Sequence, residues 1–154
     1  MPQALLDKVL AAQTFDQGYA TTEYLAAALV DQAWHLLGTH EADRITDLDR
    51  FEADVLSRHG IDPTLVPPRY HTHYFSHVFS GGYSAGYYAY IWAEVLARDA
   101  GEWFTANGGL RRANGDTLRA KVLSRGRSRD PQAMFVDFYG RPPDVAPLVA
   151  YRGL

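Results

Sequence analysis

An all-α fold is predicted for this chain by three features. Apolar residues recur at helical spacing along its length, Gly and Pro fall between the periodic stretches as stops, and no internal repeat, low-complexity tract or linker interrupts the pattern. The 154 residues are expected to form one compact multi-helix unit around a single core, because a chain of this length buries ~70% of its unfolded surface.

Leu5, Leu6, Val9 and Leu10 define a first helix over about residues 3 to 13. The stretch Gln13 to Gly18 interrupts it, with Gly18 as punctuation. Thr21-Thr22-Glu23 opens a second pattern carried by Leu25, Ala28, Leu29, Gln32 and Leu36 and closed by Gly38, and its many alanines predict close helix packing. A shorter helix is expected from Asp47 or Asp49 to Arg58, with Gly60 just past its end. Pro63, Pro67 and Pro68 forbid its continuation, so residues 60 to 82 read mostly as loop. The longest helix is predicted to begin near Ser84 and to run through Trp92, Val95, Leu96 and Phe104 to the stop at Asn107-Gly108-Gly109. Helices at about 114 to 124, 130 to 139 and 144 to 151 complete the chain, the last opened by Asp144 as N-cap.

Composition narrows the function classes. With 47% hydrophobic and 21% charged residues the chain is of ordinary globular type. A net charge of −3 with a pI near 6.0 gives no support for nucleic-acid binding. Arg111-Arg112 and the group Arg125, Arg127 and Arg129 are interleaved with acidic residues and read as a solvated helix end and loop. The absence of cysteine excludes disulfides, zinc–cysteine sites and thiol catalysis. No apolar run approaches the ~18 residues of a membrane span, and no leader opens the chain, so a cytoplasmic protein is expected.

Residues 70 to 92 hold three of the six histidines and six of the ten tyrosines, beside the pair Gly81-Gly82. Glycine allows positive φ and close approach of another chain, while His and Tyr supply hydrogen-bonding groups of fixed reach, so the segment suits a site that grips a polar backbone. Tyr83, Tyr87 and Tyr90 are spaced i, i+4, i+7, which places them on one face of the predicted helix; Tyr88 points elsewhere. Each phenol stays protonated at neutral pH because an unperturbed tyrosine titrates near ~10, and so it can donate to a carbonyl or an oxyanion. Taken without other motifs, Tyr and Ala at helical spacing signify a helix that packs large residues against small ones. His71 and His73 read as polar loop residues. A metal site of His71, His73 and His77 is the competing possibility, although no helix or neighbouring carboxylate is predicted there. His35 is placed in a helix C-terminal turn, His40 and His59 in loops or caps, and Glu23 and Glu94 on helices with no catalytic partner.

The run from Ser76 through Ser-Gly-Gly-Tyr and Tyr-Tyr-Ala-Tyr to Trp92 closely resembles the substrate-binding segment of the thimet oligopeptidase family of zinc peptidases, its bacterial peptidyl-dipeptidase branch in particular. Gly108 to Asp116, Leu123 to Asp130, Gly140 to Asp144 and Arg152-Gly153-Leu154 resemble the family's C-terminal end in the right order. Ala4 to Trp34 fits the helices that follow the catalytic helix. Arg127 departs from the pattern, where a small residue would be expected, and implies a differently shaped loop.

The resemblance implies part of the C-terminal lobe of a two-lobed helical peptidase. It makes Tyr90 the principal transition-state donor, Tyr83 a donor near the scissile bond and His77 a contact to the substrate carbonyl or backbone. Tyr87 would be a further substrate contact, and Gly81, Gly82 and Gly86 would let the segment close on a peptide. The family's zinc site resembles His-Glu-x-x-His on one helix with a later glutamate, whose two imidazoles share a helix face. That motif occurs nowhere in the 154 residues. By the resemblance the chain starts just after the third zinc ligand, so zinc would be held by other polypeptide of the same parent and none by this chain.

Two functions follow. The chain is expected to be the substrate-binding part of a zinc metallopeptidase that acts on short peptides, releasing C-terminal dipeptides or cutting internally, and to be inactive alone. Alternatively, it is a free-standing, non-catalytic helical module that binds peptides, with Met1 a true start. The parent's missing part and short peptides are the expected partners, and faces left uncovered in the isolated piece predict some self-association. A free substrate carboxylate would need a cation, with Arg111, Arg112, Arg125 and Arg127 as unranked candidates.

Overall fold

A computed structural model describes residues 1–126 and 128–154. The expectation attached to Arg127 lies outside the described residues. The described residues are helical with no strand, as the periodicity predicts, and they divide into two compact units, Met1–Tyr90 and Ile91–Leu154.

The first unit opens with α1 (Gln3–Ala12), none of whose residues is buried. Helix α2 (Gln17–His35) is the longest described, at 19 residues. It starts earlier than Thr21-Thr22-Glu23 suggests, with Asp16 in the left-handed region at φ 60 as its N-cap residue, and Gly18 lies inside the helix instead of punctuating it. Its buried face is also not the leucine stripe. Ala26, Ala27, Ala28, Val30 and Asp31 are buried, whereas Leu25 and Leu36 are 39% and 80% exposed. Small side chains let neighbouring segments approach the helix closely, so alanines fill the tightly packed interior.

A short α3 (Thr39–Ala42), not predicted, precedes α4 (Leu48–Arg58). Asp47 caps α4 by accepting the Arg50 N–H at 2.9 Å, and Gly60 turns the chain at φ 74, as expected. Val55 and Leu56 on α4 pack with Ala26 and Val30, flanked by Trp34, whose ring lies 4.3 Å from Phe51. Buried Glu52 accepts the Thr72 N–H and sits 2.8 Å from His71 Nδ1, and this ties the following loop to α4. A second cluster gathers Ala27, Ala28, Phe75, Val78 and Tyr87. Val78 belongs to α5 (Ser76–Phe79), one helical turn inside the expected loop.

The next helix, α6 (Ala89–Ala106), begins five residues later than predicted, since residues 84–88 form turns. It ends before Gly108 and Gly109, at φ 86 and 83, as the glycine pair requires. The second unit also contains α7 (Arg112–Lys121), α8 (Pro131–Tyr139) and α9 (Ala146–Arg152). Asp130 caps α8, while at α9 the N-cap position falls to Val145, and Asp144 instead accepts the Ala146 N–H at 2.9 Å from one residue further out. Val95, Met134, Phe135, Phe138 and Leu148 are buried here. Asp99 is fully buried, with Arg141 bound to both its oxygens at 2.8 and 2.5 Å and the Asp144 N–H at 2.8 Å. The carboxylate keeps the Arg141 guanidinium charged, with its pKa raised. No helix among the described residues is long and apolar enough to cross a membrane.

Leu56 is fully buried in the first unit. Leu56→Ala is expected to lower stability by about 2–5 kcal/mol, read as a shift in the urea unfolding midpoint.

Candidate functional site

The expected site residues do come together, by a route other than the predicted helix face. The i, i+4, i+7 spacing required Tyr83, Tyr87 and Tyr90 to sit on one helix, but helix α6 starts at Ala89 and only Tyr90 lies on it. Residues 80 to 88 reverse the chain instead. A Cβ on Gly81 would stand 2.6 Å from the His77 carbonyl oxygen, so only glycine fits where the chain leaves α5. Gly82 follows at φ 78, and the Gly86 N–H bonds to the Tyr83 carbonyl at 2.8 Å.

This turn folds the aromatic rings onto one another. The His77 ring stacks on Tyr83 with centroids 4.7 Å apart, and Tyr83 stacks on Tyr90 at 5.7 Å and 14°. Tyr87 meets the edge of Tyr90 at 5.6 Å. His77 Nε2 and the Tyr90 hydroxyl are 2.8 Å apart, within hydrogen-bond reach. Tyr83 and Tyr90 remain 42% and 44% exposed, whereas Tyr87 is 5% exposed and serves as the floor. Tyr24, Arg69, Tyr70, His77, Tyr87 and Tyr90 line an open cleft of about 310 Å³.

The surroundings of Tyr87 and Tyr90 favour their neutral forms. Partial desolvation, followed by the neighbouring Tyr83 phenol, raises the Tyr90 pKa above the ordinary tyrosine value. Burial raises Tyr87 as well, with the Arg69 charge opposing it. Both side chains therefore remain hydrogen-bond donors through the neutral range and beyond.

Tyr24, Arg69, Tyr70, Asp31 and Gln32 belong to the site's surroundings and were not anticipated. Tyr24 stacks on Tyr87 at 5.0 Å and donates its hydroxyl hydrogen to the Tyr87 carbonyl. The Arg69 N–H bonds to the Glu23 carbonyl at 3.2 Å, bringing loop and α2 together. Asp31 carried a readable signal, as an acidic residue among the buried positions of an alanine-rich helix. Arg69 carried none, because nothing local distinguishes it from the candidates Arg111, Arg112 and Arg125, which belong to the second unit.

The three histidines do not converge. His71 pairs with Glu52 at 2.8 Å, His73 with Asp49 at 2.9 Å and His77 with Tyr90. Among the described residues no group of three or more His, Cys, Asp or Glu side chains could hold a metal ion. The donor set present thus does not fit a zinc ion.

Comparison with known proteins finds relatives that align with the whole chain. The sequence model of peptidase family M3 matches residues 1–154. The chain is 44% identical over its whole length to a dipeptidyl carboxypeptidase of Escherichia coli strain K12 and 42% identical to the Salmonella typhimurium protein of the same name. It is 34% identical to oligopeptidase A of Escherichia coli. In each case all of this chain aligns with 22% of the relative, so it spans about a fifth of their length.

The raised Tyr90 pKa gives a direct check. A spectrophotometric titration of the wild-type chain minus Tyr90→Phe is expected to show the missing phenol ionising above the ordinary value of about 10. Ionisation at or below that value would contradict the described environment.

Proposed function

The chain belongs to peptidase family M3, and from that membership we propose that it forms the substrate-binding and transition-state-stabilising part of a metallopeptidase acting on short peptides. The observation that carries this reading is the paired His77 and Tyr90, 2.8 Å apart on an aromatic cleft that also contains Arg69. The zinc typical of such enzymes would be held by polypeptide other than the residues described, whose donors do not fit it. What this chain contributes is hydrogen bonding, orientation and channel wall.

Peptide-bond hydrolysis passes through a tetrahedral intermediate whose oxygen carries negative charge, and a fixed, neutral donor aimed at that oxygen lowers the barrier. Tyr90 is suited to this role because it is 44% exposed, its pKa is raised and His77 Nε2 lies 2.8 Å from its hydroxyl. When His77 Nε2 bears the proton it donates to the Tyr90 oxygen, leaving the phenolic hydrogen free for the oxyanion. Hydrogen bonds in such a chain strengthen one another. Tyr83 stacks along the same edge and would donate to the peptide beside the scissile bond, and His77 would contact the substrate backbone. Buried Tyr87 would act as floor more than as donor, and Gly81 and Gly82 would fix the turn that presents the rings.

Release of dipeptides from a C-terminus needs a group that recognises the terminal carboxylate. Arg69 supplies a guanidinium at the cleft, and that residue type binds carboxylates in two-pronged fashion. It favours exopeptidase action over internal cleavage, in line with the name borne by the 44% identical relative.

In the zinc-loaded polypeptide that contains this chain, Tyr90→Phe is expected to lower turnover by ~10²–10³-fold while leaving the melting temperature nearly unchanged. Undiminished turnover would overturn the donor role. Amidating the C-terminus of a peptide substrate is expected to weaken its binding by ~10–100-fold, the worth of a charged hydrogen bond. Arg69→Ala should remove that discrimination, and a variant that still rejects the amide would exclude Arg69 as the anchor.

A further inference from the structure

We infer that Asp31 and Gln32 on α2 are positioning residues that hold the aromatic cluster in place by clamping the turn at residues 85–87, an inference that rests on reading the cluster as the peptide site. Ala85 has φ 54, a left-handed conformation that a residue with a Cβ adopts only when its surroundings impose it. The surroundings are visible on both sides of this residue. Asp31 Oδ1 accepts the Ala85 N–H at 2.9 Å, and Gln32 Nε2 donates to the Ala85 carbonyl at 2.6 Å. The second carboxylate oxygen, Oδ2, accepts the Tyr87 N–H at 2.9 Å.

Asp31 is itself fully buried. Its Oδ1 lies 2.8 Å from His35 Nδ1, one helical turn along. Tyr24, Asp31, Gln32 and His35 are spaced i, i+7, i+8, i+11 and share one face of α2, so a single helix side touches both the clamp and the Tyr87 carbonyl. Without the clamp, Ala85 would relax to negative φ, redirecting the chain that carries Tyr87 and Tyr90. The rings would then lose their register against His77, which sits on separate α5.

The test uses the 154-residue chain, with nuclear Overhauser cross-peaks between the His77 and Tyr90 rings as the direct readout and tetra-alanine affinity as the functional one. Asp31→Asn keeps the shape but turns one acceptor into a donor facing an N–H. It is expected to abolish the ring cross-peaks and to weaken tetra-alanine binding by about tenfold or more. Adding Ala85→Gly is expected to restore both, because glycine takes positive φ without help. A merely structural loss would not be repaired by that second change. Cross-peaks that persist in Asp31→Asn, or that Ala85→Gly fails to restore, would overturn the inference. If Asp31→Asn does not fold, Gln32→Met removes the other half of the clamp from a half-buried position, and the same expectations and the same overturning results apply to it. Cross-peaks lost and restored while tetra-alanine affinity never changes would support the clamp and overturn the reading of the cluster as a peptide site.

Discussion

The Asp31 carboxylate has no contact with water, and taking a carboxylate out of water is strongly unfavourable unless donors replace the hydration it loses. Here the replacements are the N–H groups of Ala85 and Tyr87, while the His35 ring nitrogen 2.8 Å away is bonded to the Asp31 backbone carbonyl. Each of the two N–H bonds is charge-assisted in a setting of low polarity, so geometry is enforced from both directions. The carboxylate needs those donors, and the turn needs the carboxylate to keep a left-handed alanine. Much else follows from this arrangement. Tyr87 is driven into the cluster of Ala27, Ala28, Phe75 and Val78, and α6 starts at Ala89 because the preceding residues are committed to the turn.

Once Tyr87 is buried, the chemistry of its neighbours is constrained. Tyr83 stacks on His77 at 4.7 Å and on Tyr90 at 5.7 Å, and desolvation together with the Tyr83 phenol raises the pKa of Tyr90. A neutral phenol beside an imidazole is a donor whose direction depends on which partner holds the shared proton. The cleft therefore combines a tunable donor pair, His77 with Tyr90, and a permanent cation, Arg69. On the proposed reading, that division would serve a peptide with a carbonyl to polarise and a negative terminus to anchor.

The helical class, the position of α4 between Asp47 or Asp49 and Arg58, and the glycine stop after α6 were all legible in the sequence, because each depends on local periodicity or local backbone limits. The grouping of His77, Tyr83, Tyr87 and Tyr90 was legible too, through the ordered motif. A shared helix face is not what groups them, because only Tyr90 lies on α6. Helical spacing places three tyrosines on one face only if the helix exists there, and residues 84–88 instead form turns whose Ala85 and Tyr87 N–H groups bond to Asp31, more than fifty residues away in sequence. Periodicity misled in α2 for a related reason. Leucines at helical spacing marked a helix correctly, yet the closest packing falls on alanines, so Leu25 and Leu36 face outward. In α1, Leu5, Leu6, Val9 and Leu10 announce a helix without saying what, if anything, packs on it.

Asp31 is one instance of a device that recurs in this chain. Glu52, inside α4, takes the Thr72 N–H and the His71 ring; Asp99, inside α6, takes the Asp144 N–H and the Arg141 guanidinium. All three are buried carboxylates on helices, and all three hold an irregular segment by its backbone. A helix satisfies its own N–H groups, whereas a loop packed against one has N–H groups that need acceptors from elsewhere. A carboxylate offers two oxygens with about four acceptor sites on one short stem, so one residue can satisfy several such donors together. Acidic residues are seldom buried, and aspartate is a modest helix former; an aspartate or glutamate at a core position of a helix is therefore a sign that a loop is fastened there. In this chain the buried carboxylates mark where segments between helices are fastened to the helices they pack on.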